Sequence, residues 1–254
     1  QIIPKPARTK LKPEMWTADG WVAELKLDGH RAIGQFCTSD GLRITSRHVG
    51  ENSGLLTENT QSLPHLVDGT INTRYMIGTV LDGEIIVPYG SDSSKVTSFL
   101  KGSEAIPRQK EHGWLRWVVF DCLFYHGDDI RMKPHSTRME YLKMSIEEWN
   151  NPYVEIIKRF EANRREFYNK YVDSGGEGIK LKDTRAPYGE QWAKVKEKAT
   201  YDVVIMGYKP AEEISEKVDG SMSQTKYKGM IGGIIIGQYV DGKLEKIGSC
   251  SGIS

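Results

Sequence analysis

Trp21-Val22-Ala23-Glu24-Leu25-Lys26-Leu27-Asp28-Gly29-His30-Arg31 is the stretch from which the rest of the chain can be read. A hydrophobic, strand-forming run leads into Lys26 and then breaks at Asp28-Gly29, a turn dipeptide. That geometry holds a primary amine at the lip of a sheet, where it can act as a nucleophile. The tetrapeptide Lys26-Leu27-Asp28-Gly29 equally suits a surface lysine ahead of a hairpin, so its meaning rests on what accompanies it.

Outward from this stretch, short β-patterned runs bounded by turn residues dominate the first half, at 20–25, 32–36, 42–46, 80–87 and 115–124. Two helical stretches are expected. One starts near Ser136 and runs through Arg138-Met139-Glu140-Tyr141-Leu142 towards Trp149; the other covers 159–174, with Phe160, Phe167 and Tyr171 near one face. A third, weaker helix is expected over 55–63, ended by Pro64. Strands and helices that do not alternate regularly argue for an α+β fold rather than a doubly wound sheet. After Ala199 the texture changes to β-branched and glycine-rich runs at 201–208, 227–239 and 244–248, separated by a polar segment at 209–223. This predicts a first domain over 1–199 and a small all-β module over 200–254, one or two strands short of a closed five-stranded barrel.

Composition narrows the field less. The 254 residues carry a formal charge of only +1, so bulk electrostatics do not announce nucleic acid. Residues 1–13 hold Lys5, Arg8, Lys10 and Lys12 without an acidic residue, which reads as a solvated terminal segment or a phosphate-binding arm. The three cysteines, Cys37, Cys122 and Cys250, are far apart, fitting a reducing compartment and arguing against a disulfide framework or a thiolate zinc site. The histidines form no ligand-spaced pair. No apolar run approaches membrane-spanning length and the N-terminus lacks a signal-peptide pattern. A soluble, cytoplasmic protein is expected. The chain begins at Gln1, so a longer translated product is expected.

Five further blocks follow Lys26-Leu27-Asp28-Gly29 in order. They are Thr45-Ser46-Arg47; Leu81-Asp82-Gly83-Glu84-Ile85-Ile86-Val87; Val118-Val119-Phe120-Asp121; Glu177-Gly178-Ile179-Lys180-Leu181-Lys182; and Trp192-Ala193-Lys194-Val195-Lys196. The last places two lysines on one side of a strand, because side chains alternate. Each block alone has an ordinary explanation: an exposed strand end for Glu84, a core position for Phe120, a polar strand face for Lys194 and Lys196. Together they supply a nucleophilic amine, cations for a polyphosphate, an aromatic plate for a base, and carboxylates for ribose or metal. A lysine amine is about one part in 10³ neutral at pH 7, so a lysine nucleophile needs a cleft, neighbouring cations or a divalent ion to disfavour its charged form.

With these blocks the chain resembles the ATP-dependent DNA ligases, within the covalent nucleotidyltransferases that also include RNA ligases and capping enzymes. The resemblance spans roughly 1–254 and is closest to small viral and bacterial ligases. It implies a nucleotidyltransferase (ATP-grasp-like) domain of antiparallel sheets with helices, followed by an OB-fold β-barrel domain, here incomplete. It further implies that Lys26 carries AMP, that Glu24 reads the adenine amino edge, and that Arg31 and Arg47 lie near ribose and phosphates. By the same matching Glu84 associates with the ribose hydroxyls and a metal, Phe120 stacks on the base, and Glu177 supports Mg2+. Lys194 and Lys196 face the α-phosphate, and Lys182 is basic as the family usually has it. ATP and Mg2+ are the implied cofactors. The implied partner is nicked duplex DNA, sealed by a monomer in replication, repair or recombination. The segment 209–228 is a candidate DNA-gripping insertion, although Glu212, Glu213, Glu216 and Asp219 nearly cancel its lysines and favour a plain connection.

One departure stands out. The family ends its OB domain with a basic block, Arg-x-Asp-Lys or similar, and none precedes Ser254. Either the sequence is truncated or its first chemical step is impaired. The alternatives are an RNA ligase, a GTP-using capping guanylyltransferase, or a catalytically impaired nucleic-acid-binding relative. Glu24 and the run into Arg31 favour ATP and DNA.

Overall fold

The strands on either side of Lys26-Leu27-Asp28-Gly29, β1 (Trp21–Leu25) and β2 (His30–Cys37), do not form a hairpin; they belong to different sheets. The turn is a crossing between layers, and Lys26 sits where the chain leaves the first of them. Gly29 makes the crossing possible by close approach, since a Cβ there would stand 2.2 Å from the Ile85 carbonyl oxygen.

The computed structural model describes residues 2–38, 41–49, 54–67, 76–90, 92–196, 202–211, 214–216, 222–224 and 229–251. The chain divides into two units, Gln1–Glu197 and Lys198–Ser254. Along the first unit follow β3 (Gly41–Val49), β4 (Leu56–Glu58), α1 (Pro64–Val67), β5 (Val80–Ile86), α2 (Ser93–Leu100), α3 (Ala105–His112), β6 (Arg116–Tyr125), β7 (Asp128–Asp129) and α4 (His135–Trp149). The unit closes with β8 (Val154–Ile156), β9 (Arg159–Phe160), α5 (Arg164–Asp173), β10 (Gly178–Asp183) and β11 (Trp192–Lys196). One sheet runs β4-β3-β2-β5-β6-β7, with β8 added parallel to β6; the other is antiparallel in the order β11-β10-β1-β9.

Period-two alternation assigns the faces. On β5 and β6, Leu81, Ile85, Trp117 and Val119 enter the main core with Phe36, Met139, Leu142 and Trp149. Ile86, Val118 and Phe120 form a separate cluster with Leu25 and Leu27 on the opposite face. Gly83 is required by that core, because a Cβ there would lie 2.5 Å from the Trp117 indole nitrogen. In the smaller sheet Trp21, Ala23, Ile179, Leu181, Ala193 and Val195 pack against Met15 and Trp16, with Phe167 and Tyr171 of α5. Their alternates turn the other way, towards the first sheet, and define a cleft.

Two expected helices are corrected. The stretch 55–63 forms β4 and a 3₁₀ turn, Thr60–Ser62; Pro64 begins α1 rather than ending a helix, as its fixed φ and missing N–H allow at a first helical position. The stretch 159–174 begins as strand β9, paired with β1, and turns through Asn163 at φ +51° into α5. Phe160 and Phe167 do meet, stacked at 3.5 Å between ring centroids, but by strand-to-helix packing.

The second unit contains the antiparallel sheet β12 (Val204–Pro210), β15 (Ile231–Val240) and β16 (Lys243–Ser251), with a hairpin of β13 (Ile214–Glu216) and β14 (Met222–Gln224) between them in sequence. The register shifts between Ile236 and Gly237 against β16, a bulge that curls the sheet as a half-barrel of the OB type. Most of the polar segment 209–228, including Glu212, Glu213 and Asp219, lies outside the described residues.

Candidate active site

Strand register builds the cleft wall as a grid. Val22 pairs with Lys182 and Lys182 with Trp192; Glu24 pairs with Lys180 and Lys180 with Lys194; Gly178 pairs with Lys196, and the Lys26 N–H donates to the Gly178 carbonyl at 2.9 Å. All lie on the face turned from the Met15–Trp16 core. Gly178, at φ +138°, has no room for a side chain, since a Cβ would stand 2.1 Å from the Val195 carbonyl oxygen. The space between Lys26 and Lys196 is therefore left to Glu177.

At the mouth, Glu177 binds both lysines, Oε2 to Lys26 Nζ and Oε1 to Lys196 Nζ at 2.6 Å. Burial works against its charge, but hydrogen bonds from Lys196 and Lys26 hold its carboxyl below the usual range. A cavity of about 600 Å³ opens there, lined by Lys26, Asp28, His30, Arg31, Ser46, Arg47, Glu84, Glu177, Lys180, Trp192, Lys194 and Lys196. Its far rim is α2, whose first turn is capped by two carboxylates: Asp92 accepts from the Ser94 and Lys95 N–H groups and Asp28 from that of Ser93. His30 Nε2 meets Thr97 Oγ1 of the same helix at 2.7 Å.

Arg31 lines the cavity but is anchored behind it. Its guanidinium grips Asp82 in a fork, at 3.0 and 2.6 Å, and donates to the Lys5 carbonyl and the Tyr188 hydroxyl. Tyr188 in turn donates to Asp82 at 2.6 Å. The N-terminal segment is thus part of the site: Pro4, Pro6 and Ala7 line the cavity and the Thr9 N–H donates to the Trp192 carbonyl at 3.0 Å. Residues 2–9 are fastened to the cleft, where a free basic arm was one expectation.

Deeper in, Glu24, Phe120 and Lys182 are buried and do not reach the cavity surface. Lys182 Nζ binds Glu24 Oε2 at 2.6 Å. Glu24 Oε1 faces His135 Nε2 at 3.4 Å and Arg159 Nε at 3.9 Å, forming a well-shaped hydrogen bond with neither. Burial alone would raise the Glu24 carboxyl, but the Lys182 charge and His135 outweigh it and keep it anionic far into acid. Glu84, across the cleft, lacks such a partner: burial raises it to about 7 against the opposing pull of Lys180 and Arg31.

Of the residues singled out in the sequence, Lys26, Arg31, Arg47, Glu84, Glu177, Lys194 and Lys196 come together around the cavity, with Arg47 exposed at its rim. Glu24, Phe120 and Lys182 form the floor group behind them. Lys180, His135, Arg159, Asp82 and Tyr188 join the site without being singled out in the sequence. Lys180 carried a signal, since it alternates with Lys182 just as Lys194 does with Lys196. His135 and Arg159 carried none, because helix and strand packing brings them to Glu24.

The folded first unit and its lysine-lined, inter-sheet cleft are those of a ligase-type nucleotidyltransferase domain. The profile of the ATP dependent DNA ligase domain matches residues 8–196, and the chain belongs to that family. The SPbeta prophage-derived DNA ligase-like protein LigB of Bacillus subtilis (strain 168) is 29% identical over 201 residues, covering 77% of this chain and 68% of that protein. A probable DNA ligase of Rhodococcus opacus (strain B4) is 28% identical over 219 residues, covering 81% of this chain but 41% of the relative's length. Among solved structures, a Lig E DNA ligase studied for DNA binding with a minimal scaffold superposes with a TM-score of 0.64 at 18% identity, over 97% of this chain and 84% of that one. No helix among the described residues is long and apolar enough to cross a membrane.

Proposed function

We propose that the chain seals nicks in duplex DNA through a lysyl-AMP intermediate, with Lys26 as the nucleophile. The observation that carries this reading is the placement of Lys26. It sits at a crossing between two sheets, paired with Glu177, on a wall that aligns Lys180, Lys194 and Lys196 beside it. A polyanion is the ligand such a wall favours.

In the first step the Lys26 amine, having lost a proton to solvent, attacks the α-phosphorus of ATP. The N–P bond forms as the P–O bond to pyrophosphate breaks. Lys194 and Lys196 stabilise charge gathering on the α-phosphate, the usual basis of phosphoryl-transfer catalysis. In the second step an oxygen of the 5′-phosphate at a nick attacks the same phosphorus and the Lys26 amine leaves, taking up a proton. In the third, the 3′-hydroxyl attacks the 5′-phosphorus, AMP departs and the strand is joined. Splitting one displacement into several lowers each barrier.

Before the first step Lys26 must leave Glu177. The donor set of the cleft fits Mg2+, which takes one or two protein carboxylates together with phosphate oxygens and water. Glu177 and Glu84 would hold it, and it would supply neutralising charge at the phosphates. For the base, Phe120 offers the ring, and Glu24 Oε1 is an anionic acceptor without a well-formed hydrogen bond, suited to an adenine amino group. Guanine presents a carbonyl oxygen at that position. Glu84 and Arg31 fall to the ribose, Arg47 to the outer phosphates. The catalytic domain is assigned to 1–199 and the OB module to 200–254. The protein would act as a monomer in the cytoplasm, where its dispersed free cysteines remain reduced.

Incubation with α-labelled ATP or GTP, followed by nicked DNA or nicked RNA duplexes, tests this directly. Label from ATP and sealing of nicked DNA are expected, with Lys26→Ala and Lys26→Arg inactive because arginine stays protonated. Equal labelling by GTP, or sealing confined to RNA, would move the assignment to a capping enzyme or an RNA ligase.

A further inference from the structure

Three cations surround the Phe120 ring. Lys180 Nζ lies 4.6 Å from its centroid, Lys182 Nζ 4.9 Å and the Arg31 guanidinium 5.4 Å. Two of them are bound elsewhere: Arg31 is forked onto Asp82, and Lys182 is held by Glu24 at 2.6 Å and by the Phe120 carbonyl at 3.4 Å. Lys180 makes no hydrogen bond or ion pair among the described residues, and it alone of the two lysines lines the cavity. Around it stand Glu84 from β5, Arg31 from β2, Glu24 from β1, Lys194 from β11 and Lys182 from its own strand. Its ammonium therefore rests over the ring with only the longer-range charges of Glu84 and Glu24 opposing its own. A stacked base needs that same space, since offset rings meet at 4.5–7 Å between centroids.

We propose that Lys180 closes the base seat in the free protein, so that a nucleobase must displace its ammonium from the Phe120 ring, and Lys180 thereby sets nucleoside affinity. The inference rests on the assignment of Phe120 to the base under the proposed function. It predicts that removing this cation tightens binding of a phosphate-free nucleoside, whereas a lysine acting only on phosphates would leave such a ligand unaffected. Lys180 is also the cheapest of the three to displace, because moving Arg31 or Lys182 would take the ion-pair partner from a buried carboxylate.

The test uses adenosine, which has no phosphate, titrated calorimetrically into the full chain after stripping any bound AMP with pyrophosphate and Mg2+. Lys180→Met should tighten adenosine binding by about 2- to 30-fold, equivalent to about 0.5–2 kcal/mol, the range of one cation–π contact. Lys180→Ala should shift it in the same direction, and Lys180→Arg should stay near wild type. Unchanged or weaker adenosine binding in both the Met and Ala variants, or no adenosine binding by any form, would overturn the proposal. Labelling from α-labelled ATP in the same preparations separates the two readings. Labelled wild type with no gain in the variants sinks the Lys180 role alone; a gain in adenosine affinity without labelling sinks the ligase reading and leaves the seat.

Discussion

The mouth and the floor of the cleft use the same chemistry, lysine against glutamate, to opposite ends. At the mouth one carboxylate, Glu177, is shared by Lys26 and Lys196, and all three side chains keep some solvent contact. At the floor Glu24 and Lys182 are paired one to one, out of water, with His135 and Arg159 closing in. A shared, half-solvated pair is easily exchanged for a phosphate or a metal ion. A buried pair is not, because separating it strands a charge in a low-dielectric interior. Burial thus divides the cleft into a part that can react and a part that holds its shape.

The largest effect that would break this contrast is at the floor. Glu24→Ala leaves the Lys182 ammonium buried and unpaired, and an urea unfolding curve should show a loss of about 3–5 kcal/mol. The pH dependence has a definite sign. The Glu24 carboxyl lies below its unfolded value, so its contribution is full above about pH 4.5 and is lost as pH falls towards the folded pKa. Wild type should lose stability through that window more steeply than Glu24→Gln.

Glu84 should behave in the reverse sense and with a smaller amplitude. Its folded pKa of about 7 lies above the ordinary 4.5, so the folded state binds more protons than the unfolded chain between these values. Stability therefore falls as pH rises through that window. Glu84→Gln should flatten the slope and be the more stable form at pH 8, on the order of 1–3 kcal/mol by denaturant titration. A variant less stable than wild type at pH 8 would show that the carboxylate is better compensated than its surroundings indicate.

The smallest expected change in stability is at the mouth. Glu177→Gln removes partners from Lys26 and Lys196, but these pairs are partly solvated and should be worth no more than about 1 kcal/mol. ATP-dependent labelling should nevertheless fall at least about tenfold, the scale of a lost charge-stabilising group. A loss of stability matching that of Glu24→Ala would erase the distinction between mouth and floor.

Much of this was legible in the sequence because strand alternation is local. The placement of Leu81, Ile85, Trp117 and Val119 against Glu84, Val118 and Phe120 follows from counting by two, as does the shared face of Lys194 and Lys196. What failed was non-local. Asp28-Gly29 announces a turn but not where it leads: the chain crosses to another sheet, a choice made by the pairing of β1 with β10 and of β2 with β5. Phe160, Phe167 and Tyr171 mimic a helical face because a strand and a helix stack their rings. The N-terminal residues show only their charge in the sequence, whereas the Lys5 carbonyl on Arg31 and the Thr9 N–H on Trp192 fasten them to the cleft. Lys180 stands in plain view between Glu177 and Lys182, but its unpaired ammonium appears only once the fold has given Arg31 and Lys182 their carboxylates.

The central claim is that Lys26, alone among the lysines of one wall, is the nucleophile. Peptide mapping by mass spectrometry after incubation with ATP and Mg2+ tests it most directly. The account predicts a single acid-labile AMP on the peptide bearing Lys26; AMP on Lys180, Lys194 or Lys196, or an adduct that persists in Lys26→Ala, would contradict it.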